Sequence, residues 1–469
     1  MISLHPYQVP QRDMALAALS KGRVFIDTST TGSGKTYIAL AVAEHLQPQH
    51  KLLVIAPKAS HTQWRRVAET SSADLLAITN PESLIRSSRN PFYNSTNKTW
   101  HLPADPVLIV FDEIHRGASG VDSSTTEAVA RLMAYRNTRL YAMSATLAET
   151  PLKMRATGYW LGLHKFNLPS FHEFCLRHGC KWEMVPTLEN RLLASRGNRV
   201  KQRMVFTRNA AAAEDAIRRI RKAAGPAMHG ITVADIPDFP TQMFEIVLLD
   251  LNKQDKHDIN QAYKDMSDRL RADAKSELAQ ITRDRERIEF VKSKYIAGEV
   301  AKLREDGFAV PVFLNFTSAR ERVASFLASS CSASTRPLRD PIPQIYGGQP
   351  PDERQAAIDA FQANEPGADC ILVMAQAGGV ALSLHDVHKK KPRVSVTSPS
   401  FSASELLQVF GRIRRDGGTH ALQRIILVAG TVEERIATSL ERKLDNLDTL
   451  NDSDLNPFSQ TQTPTQKDT

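Results

Sequence analysis

Three groups of residues in this 469-residue chain have the types and spacing to do chemistry on a phosphate. The first is Thr30-Thr31-Gly32-Ser33-Gly34-Lys35-Thr36, set between an apolar run and a stretch patterned as a helix. Glycines there let backbone N–H groups approach a phosphate, and the following helix N-terminus adds a favourable dipole. Lys35 would neutralise β- and γ-phosphate charge, the Thr36 hydroxyl would ligate Mg2+, and Thr31, Gly32, Ser33 and Gly34 would complete the cradle. Ser29 stands where such loops usually begin with glycine. The second group is Asp112-Glu113, directly after the apolar run 106–111. Two carboxylates ending a buried run are costly unless they find partners or do work. Asp112 suits holding Mg2+ through coordinated water, and Glu113 suits positioning or deprotonating an attacking water. The third is Gln408-Val409-Phe410-Gly411-Arg412-Ile413-Arg414-Arg415. Arg412 and Arg415, three apart, are expected on one helical face, where two guanidinium groups suit the charge developing on a γ-phosphate.

These groups need elements to hold them. Apolar runs at 23–27, 51–56, 106–111 and 140–143 read as buried strands, each ending in a polar or glycine-containing loop. Strand, loop and helix in repetition predict a parallel sheet covered by helices, with ligands at the carboxyl ends of the strands. From about Lys165 the texture changes, and residues 171–225, rich in Arg and Ala, read as helices. A strand at 243–249 is followed by a long charged helical region, Lys253 to Asp306, in which Gly298 marks a kink or junction. The strand–helix rhythm returns at 311–316, 371–374, 393–396 and 423–428. The expected fold class is α/β, two tandem lobes with helical insertions: residues 1–165, a helical extension at 166–235, a second lobe at 236–450 with its insertion at about 253–306, and a disordered tail at 451–469.

Composition narrows the function classes. Hydrophobic residues make up 42% and charged residues 24%, an ordinary globular balance that excludes a mainly disordered chain. No apolar run approaches the roughly 20 residues of a membrane span, and the N-terminus lacks a secretory pattern. Four cysteines are too few for a disulfide scaffold and point to a reducing compartment, with the cytoplasm expected. A net charge of +9 favours a polyanionic partner.

Asp112-Glu113-Ile114-His115 with Ser144-Ala145-Thr146 resembles motifs two and three of superfamily 2 helicases and translocases, and residues 408–415 resemble the Q-x-x-G-R-x-x-R motif of that superfamily. The resemblance implies two RecA-like lobes with Mg-ATP in the cleft between them, Arg412 and Arg415 acting as arginine fingers. His115, Ser144, Thr146 and Gln408 would couple hydrolysis to grip on nucleic acid. It narrows toward the Swi/Snf-like branch of double-stranded DNA translocases. Leu4-His5-Pro6-Tyr7-Gln8 looks like that branch's N-terminal element, in which the glutamine reads adenine. Ala56-Pro57-Lys58 with Gln63-Trp64 resembles its motif Ia, and Gly430-Thr431-Val432-Glu433-Glu434-Arg435-Ile436 its closing element. Gly378-Gly379-Val380-Ala381-Leu382-Ser383-Leu384 resembles motif V, which makes Gly379 a nucleotide-site candidate, with Ala381 where glycine is usual. Phe174-Cys175-Leu176-Arg177-His178 and Ile236-Pro237 look like the branch's annealing-helicase relatives. The likeness spans residues ~4–440 with gaps. It implies ATP and Mg2+ as cofactors and DNA as partner, duplex favoured, with Lys58, Thr317 and Gln376 as candidate contacts.

Weaker signals have plainer readings. Two His and two Cys within 171–180 could hold zinc, but their spacing favours packing. Lys389-Lys390-Lys391 reads as a solvated loop and Trp64 as a packed side chain, while Lys292, Lys294 and Lys302 are DNA candidates only by location. The competing functions are a strand-separating or branch-migrating DNA or RNA helicase, a restriction-system motor, and a non-catalytic nucleic-acid scaffold.

Overall fold

Strands buried on both faces need helices above and below, and the apolar runs of this chain are placed accordingly. The computed structural model describes residues 1–46, 48–85, 90–114, 123–144, 150–184, 202–207, 209–272, 278–329, 338, 341–378, 382–441 and 455. The chain divides into two units, Met1–Asp238 and Phe239–Thr469. In the first unit β1 (Val24–Asp27), β2 (Lys51–Ile55), β3 (Asp74–Thr79), β6 (Val107–Asp112), β7 (Thr138–Met143) and β10 (Met228–His229) form one sheet. Its order is β10-β1-β7-β6-β2-β3, and every pairing is parallel. Two antiparallel pairs stand apart from it: β4 (Tyr93–Asn94) with β5 (Thr99–Trp100), and β8 (Cys180–Met184) with β9 (Gln202–Phe206). Ile26, Ile55, Ile109, Phe111 and Leu140 lie in the core beneath the helices.

The second unit repeats the layout with β11 (Gln242–Leu249), β12 (Val310–Leu314), β13 (Gln344–Ile345), β14 (Cys370–Met374), β15 (Arg393–Thr397) and β16 (Ala421–Val428). The order is β11-β16-β15-β12-β14-β13, again all parallel. Phe313, Ile371, Val373, Ile425 and Leu427 centre one face, and Val310, Val312, Leu372 and Ile426 the other. Both units are parallel sheets flanked by helices, the architecture of tandem RecA-like cores. Among the described residues no helix is long and apolar enough to cross a membrane.

Four expectations are corrected. Residues 171–225 are not all helical, because the β8–β9 ladder lies between helices Leu168–Arg177 and Ala210–Ala224; in β8 only Cys180 is buried, so the strand is held mainly by its pairing with β9. Gly298 is not a junction, since its helix runs unbroken over Leu278–Glu305 and follows Lys253–Ala272. Lys292 is 2% exposed and buried in an ion pair, so it is not available to DNA. Leu455, inside the stretch expected as a disordered tail, is buried in the second core.

Candidate nucleotide site

The phosphate loop leaves the carboxyl end of β1, and its entry is a continuation of sheet pairing. Thr28 N–H donates to His229 O at 2.9 Å and Thr30 N–H to Ile231 O at 2.9 Å, so the loop's first residues extend the ladder with β10. Ser29, in the place of the usual glycine, uses its hydroxyl to accept from Ile231 N–H at 2.9 Å. The side chain therefore adds an anchor. The backbones approach so closely that a Cβ on Gly230 would lie 2.4 Å from the Thr28 carbonyl carbon.

Beneath the loop, Asp27 is fully buried and its carboxylate accepts from Gln11 Nε2 at 3.1 Å, Ser29 N–H at 2.9 Å and the Tyr141 hydroxyl at 2.7 Å. Ser144 N–H donates to Asp27 O at 3.0 Å, so this coupling candidate abuts the root of the loop. Gly34 takes φ 82° and leads into helix Lys35–His45; a Cβ there would fall 2.3 Å from Gln8 Nε2. Gln8 is itself buried, donating to Ser33 O at 2.7 Å and accepting from His5 N–H at 2.9 Å. Each end of its amide thus makes one bond within the chain, leaving one N–H and one lone pair of the amide for another partner. Lys35 Nζ donates to Ser29 O and Thr30 O at 2.8 and 3.1 Å, which folds the ammonium over the loop where a phosphate would sit.

Asp112 ends β6. Burial, reinforced by the neighbouring Glu113 charge, pushes its carboxyl up to about 6, against the pull of Trp64 and Lys35. Trp64 Nε1 donates to Asp112 Oδ2 at 3.0 Å. Glu113 takes φ 52°, in the left-handed region, and its N–H also donates to the Asp112 carboxylate. These residues fit a magnesium-bound triphosphate. Among the described residues Ser33 Oγ is buried within the loop without a hydrogen-bond partner, and a proton-prone carboxylate lies within reach of a lysine charge.

In the second unit, Arg412 and Arg415 do not share a helical face. The helix Ala403–Phe410, which carries Gln408, stops with Gly411 as its cap, and both arginines lie in the turns that follow. They converge nonetheless, Arg412 Nη1 and Arg415 Nη2 donating to one carbonyl, Leu382 O, at 3.3 and 3.0 Å. Burial and the charges of Arg415 and Arg393 hold His385 down to about 4, leaving a neutral imidazole beside them. Thr317 opens helix Thr317–Ser329, and Gln376 and Lys58 are exposed. His115, Thr146, Gly379 and Ala381 lie outside the described residues.

A family model for the type III restriction enzyme res subunit matches residues 1–149. A protein of Acanthamoeba polyphaga mimivirus, provisionally named an ATP-dependent RNA helicase, is 28% identical over 495 residues, covering 96% of this chain and 84% of its own. The chromatin remodeling factor mit1 of Schizosaccharomyces pombe is 31% identical over 93 residues, 20% of this chain and 6% of its own. In structure, the DUF1998 helicase MrfA bound to DNA aligns over 94% of this chain and 51% of its own, with TM-score 0.51 and 12% identity, a likeness of fold. These likenesses support a superfamily 2 helicase or translocase. The chain is a nucleic-acid-dependent ATPase, as its helicase-type relatives are.

Sequence reasoning about this helicase-type ATPase missed Asp27, Gln11 and Tyr141, which hold the loop, and Gly230 with Ile231, which brace it. Asp27 carried a signal, a charge closing an apolar run just before a glycine loop. Gly230 carried none, since its partner is remote in the chain. Of the two His and two Cys at 171–180, Cys175 and Cys180 are buried with Phe171 and Phe174, while His172 and His178 are half-buried. The hydrogen bond from Cys175 to Cys180, with burial, pushes the Cys175 thiol up and keeps it unreactive.

Proposed function

We propose that this ATPase is a Swi/Snf-like translocase that couples ATP hydrolysis to movement on duplex DNA. The observation that carries the reading is the gathering of Lys35, Asp112 and Glu113 at the carboxyl ends of β1 and β6, with the loop braced on both sides. The Swi/Snf-like motifs, the matched segment of the chromatin remodeling factor and the net charge of +9 support duplex DNA as the track. In the proposed cycle Lys35 leaves the Ser29 and Thr30 carbonyls for the β- and γ-phosphates, while Gly32, Ser33 and Gly34 supply backbone N–H groups. Thr36 and Asp112 would hold Mg2+, which when bound neutralises phosphate charge. Glu113 takes the proton of the attacking water. Arg412 and Arg415 are the proposed partners of the charge developing on the γ-phosphate, released from Leu382 O to do so. Phosphate contacts dominate binding, so affinity falls as salt rises.

The test is ATP turnover with no nucleic acid, single-stranded DNA, duplex DNA and RNA, with Lys35→Ala as the blank. Stimulation by duplex DNA is expected. The RNA helicase name of the mimivirus relative favours a second reading, and stimulation by RNA or single strands alone would establish it in place of the first.

A further inference from the structure

Three tryptophans of the first unit are buried, and each must find an acceptor for its indole N–H. Trp100 Nε1 donates to Ala128 O at 2.9 Å and Trp160 Nε1 to Val129 O at 3.0 Å, both main-chain carbonyls of one helix. That is how packing tryptophans are usually satisfied. Trp64 differs. It is 1% exposed, among the largest fully buried side chains, and its acceptor is Asp112 Oδ2 at the end of β6.

The helix that carries it, His61–Ala68, is fixed at its start. His61 Nε2 lies 3.0 Å from Ala56 O and 3.2 Å from Thr79 O, which ties the helix to the ends of β2 and β3. The indole thus reaches Asp112 from a rigid platform. A neutral donor has a particular merit at this place. An arginine or lysine would orient the carboxylate and also cancel its charge, whereas an indole N–H orients it and leaves the charge for a cation. Glu113 N–H, turned back by its positive φ, is a second neutral donor to the same carboxylate.

We propose that Trp64 is a positioning residue for the magnesium site, fixing the rotamer of Asp112 so that its carboxylate meets the hydrated metal without rearrangement. The inference rests on Asp112 as the magnesium-holding carboxylate. Outer-shell partners of this kind typically change metal affinity by about 10- to 100-fold when removed.

The experiment uses the full chain and a fluorescent ATP analogue, titrated with Mg2+ and separately in EDTA. Trp64→Phe keeps an aromatic ring and removes the N–H. Its metal-free nucleotide affinity is expected within about twofold of wild type, while the Mg2+ concentration for half-maximal enhancement of binding rises about tenfold. In an Asp112→Asn background the same substitution should add nothing further. Unchanged Mg2+ dependence in Trp64→Phe overturns the proposal, as does an equal loss with and without metal, which marks a packing residue. Circular dichroism and the thermal midpoint check that the variant folds. Should it not fold, Asp112→Asn alone still bears on the inference through intrinsic fluorescence, because Mg2+ with nucleotide should perturb tryptophan emission in wild type and not in Asp112→Asn; no such difference counts against the link. Wild-type Mg2+ dependence in Asp112→Asn would instead remove the assignment of Asp112 itself.

Discussion

In the first unit the carboxylates of buried Asp27 and half-buried Asp112 are met by neutral donors: an amide, main-chain N–H groups, a phenol and an indole. In the second unit Glu433 faces the ammonium of Lys292 at 3.1 Å, with the Tyr263 hydroxyl donating as well, and Asp369 lies between Arg304 at 2.9 Å and Lys391 at 3.2 Å. Neutral donors fix a carboxylate's direction and leave its charge; cations cancel it. Charge is kept where the proposed function places a phosphate and a metal, and cancelled at Glu433 and Asp369, where helices are joined to a sheet. Two buried carboxylates of the second unit are exceptions: Asp386, which accepts from Lys390 N–H and Lys391 N–H, and Glu289. Pushed up by burial, Glu289 accepts from Asn315 N–H, Asn315 Nδ2 and Phe316 N–H, and it sits where β12 runs into the nucleic-acid candidate Thr317.

Removing one partner of the cancelled pair should have the largest effect. Lys292→Ala strands the Glu433 charge, and a loss of about 3–5 kcal/mol is expected in urea unfolding. Lys292→Met with Glu433→Leu should recover most of it; if the double variant is no better than the single, the pair is doing more than cancelling charge. Gly230→Ala comes next, because its Cβ meets main chain that cannot retreat, and about 3 kcal/mol of strain is expected with weakened nucleotide binding in a titration. Tyr141→Phe removes one neutral donor from Asp27 and should cost about 1.5–2 kcal/mol by thermal unfolding. If it costs nothing, neutral donors are not what holds that carboxylate.

The pH dependence tests the uncancelled charge directly. The Asp112 carboxyl lies at about 6 in the fold against an ordinary 3.8, so the folded protein holds this proton more tightly than the unfolded chain. Its contribution to the stability of the nucleotide-free protein is therefore greatest below 3.8 and is lost as pH rises through about 6. Metal binding needs the ionised form, so Mg2+-dependent nucleotide affinity should fall roughly tenfold per unit below that point. Asp112→Asn should abolish that dependence. The smallest effect is a gain: Gly298 lies in open space inside a helix, and Gly298→Ala should stabilise by about 0.5–1 kcal/mol in unfolding experiments.

That last position also shows where sequence reading succeeds and fails. The apolar runs at β1, β2, β6, β12, β14 and β16 were legible because burial on both faces demands uninterrupted apolar residues, and the loop after β1 because its glycines and lysine are adjacent. β8, buried only at Cys180, lacks such a run, and two-residue β10 is too short to leave a pattern. Gly298 looked like a break since propensity alone penalises it, yet the helix is held by Ile296, Ala297 and Val300 packed in the core. Arg412 and Arg415 were recognisable by type; their convergence on Leu382 O was not, because it depends on a turn that begins where Gly411 ends the helix. Trp64 offered its hydrophobicity and its place beside the motif Ia resemblance, and neither points to an acceptor 48 residues away.

The brace between β10 and the phosphate loop has a consequence for how the chain matures on the ribosome. Ser29 and Ile231 are 202 residues apart, so the loop emerges early in synthesis but cannot be closed until nearly the whole first unit has followed. Such distant closure is slow relative to local helix formation. The nascent chain should therefore acquire nucleotide affinity in a late step, after Gly230 and Ile231 have emerged and while the second unit, from Phe239 on, is being made.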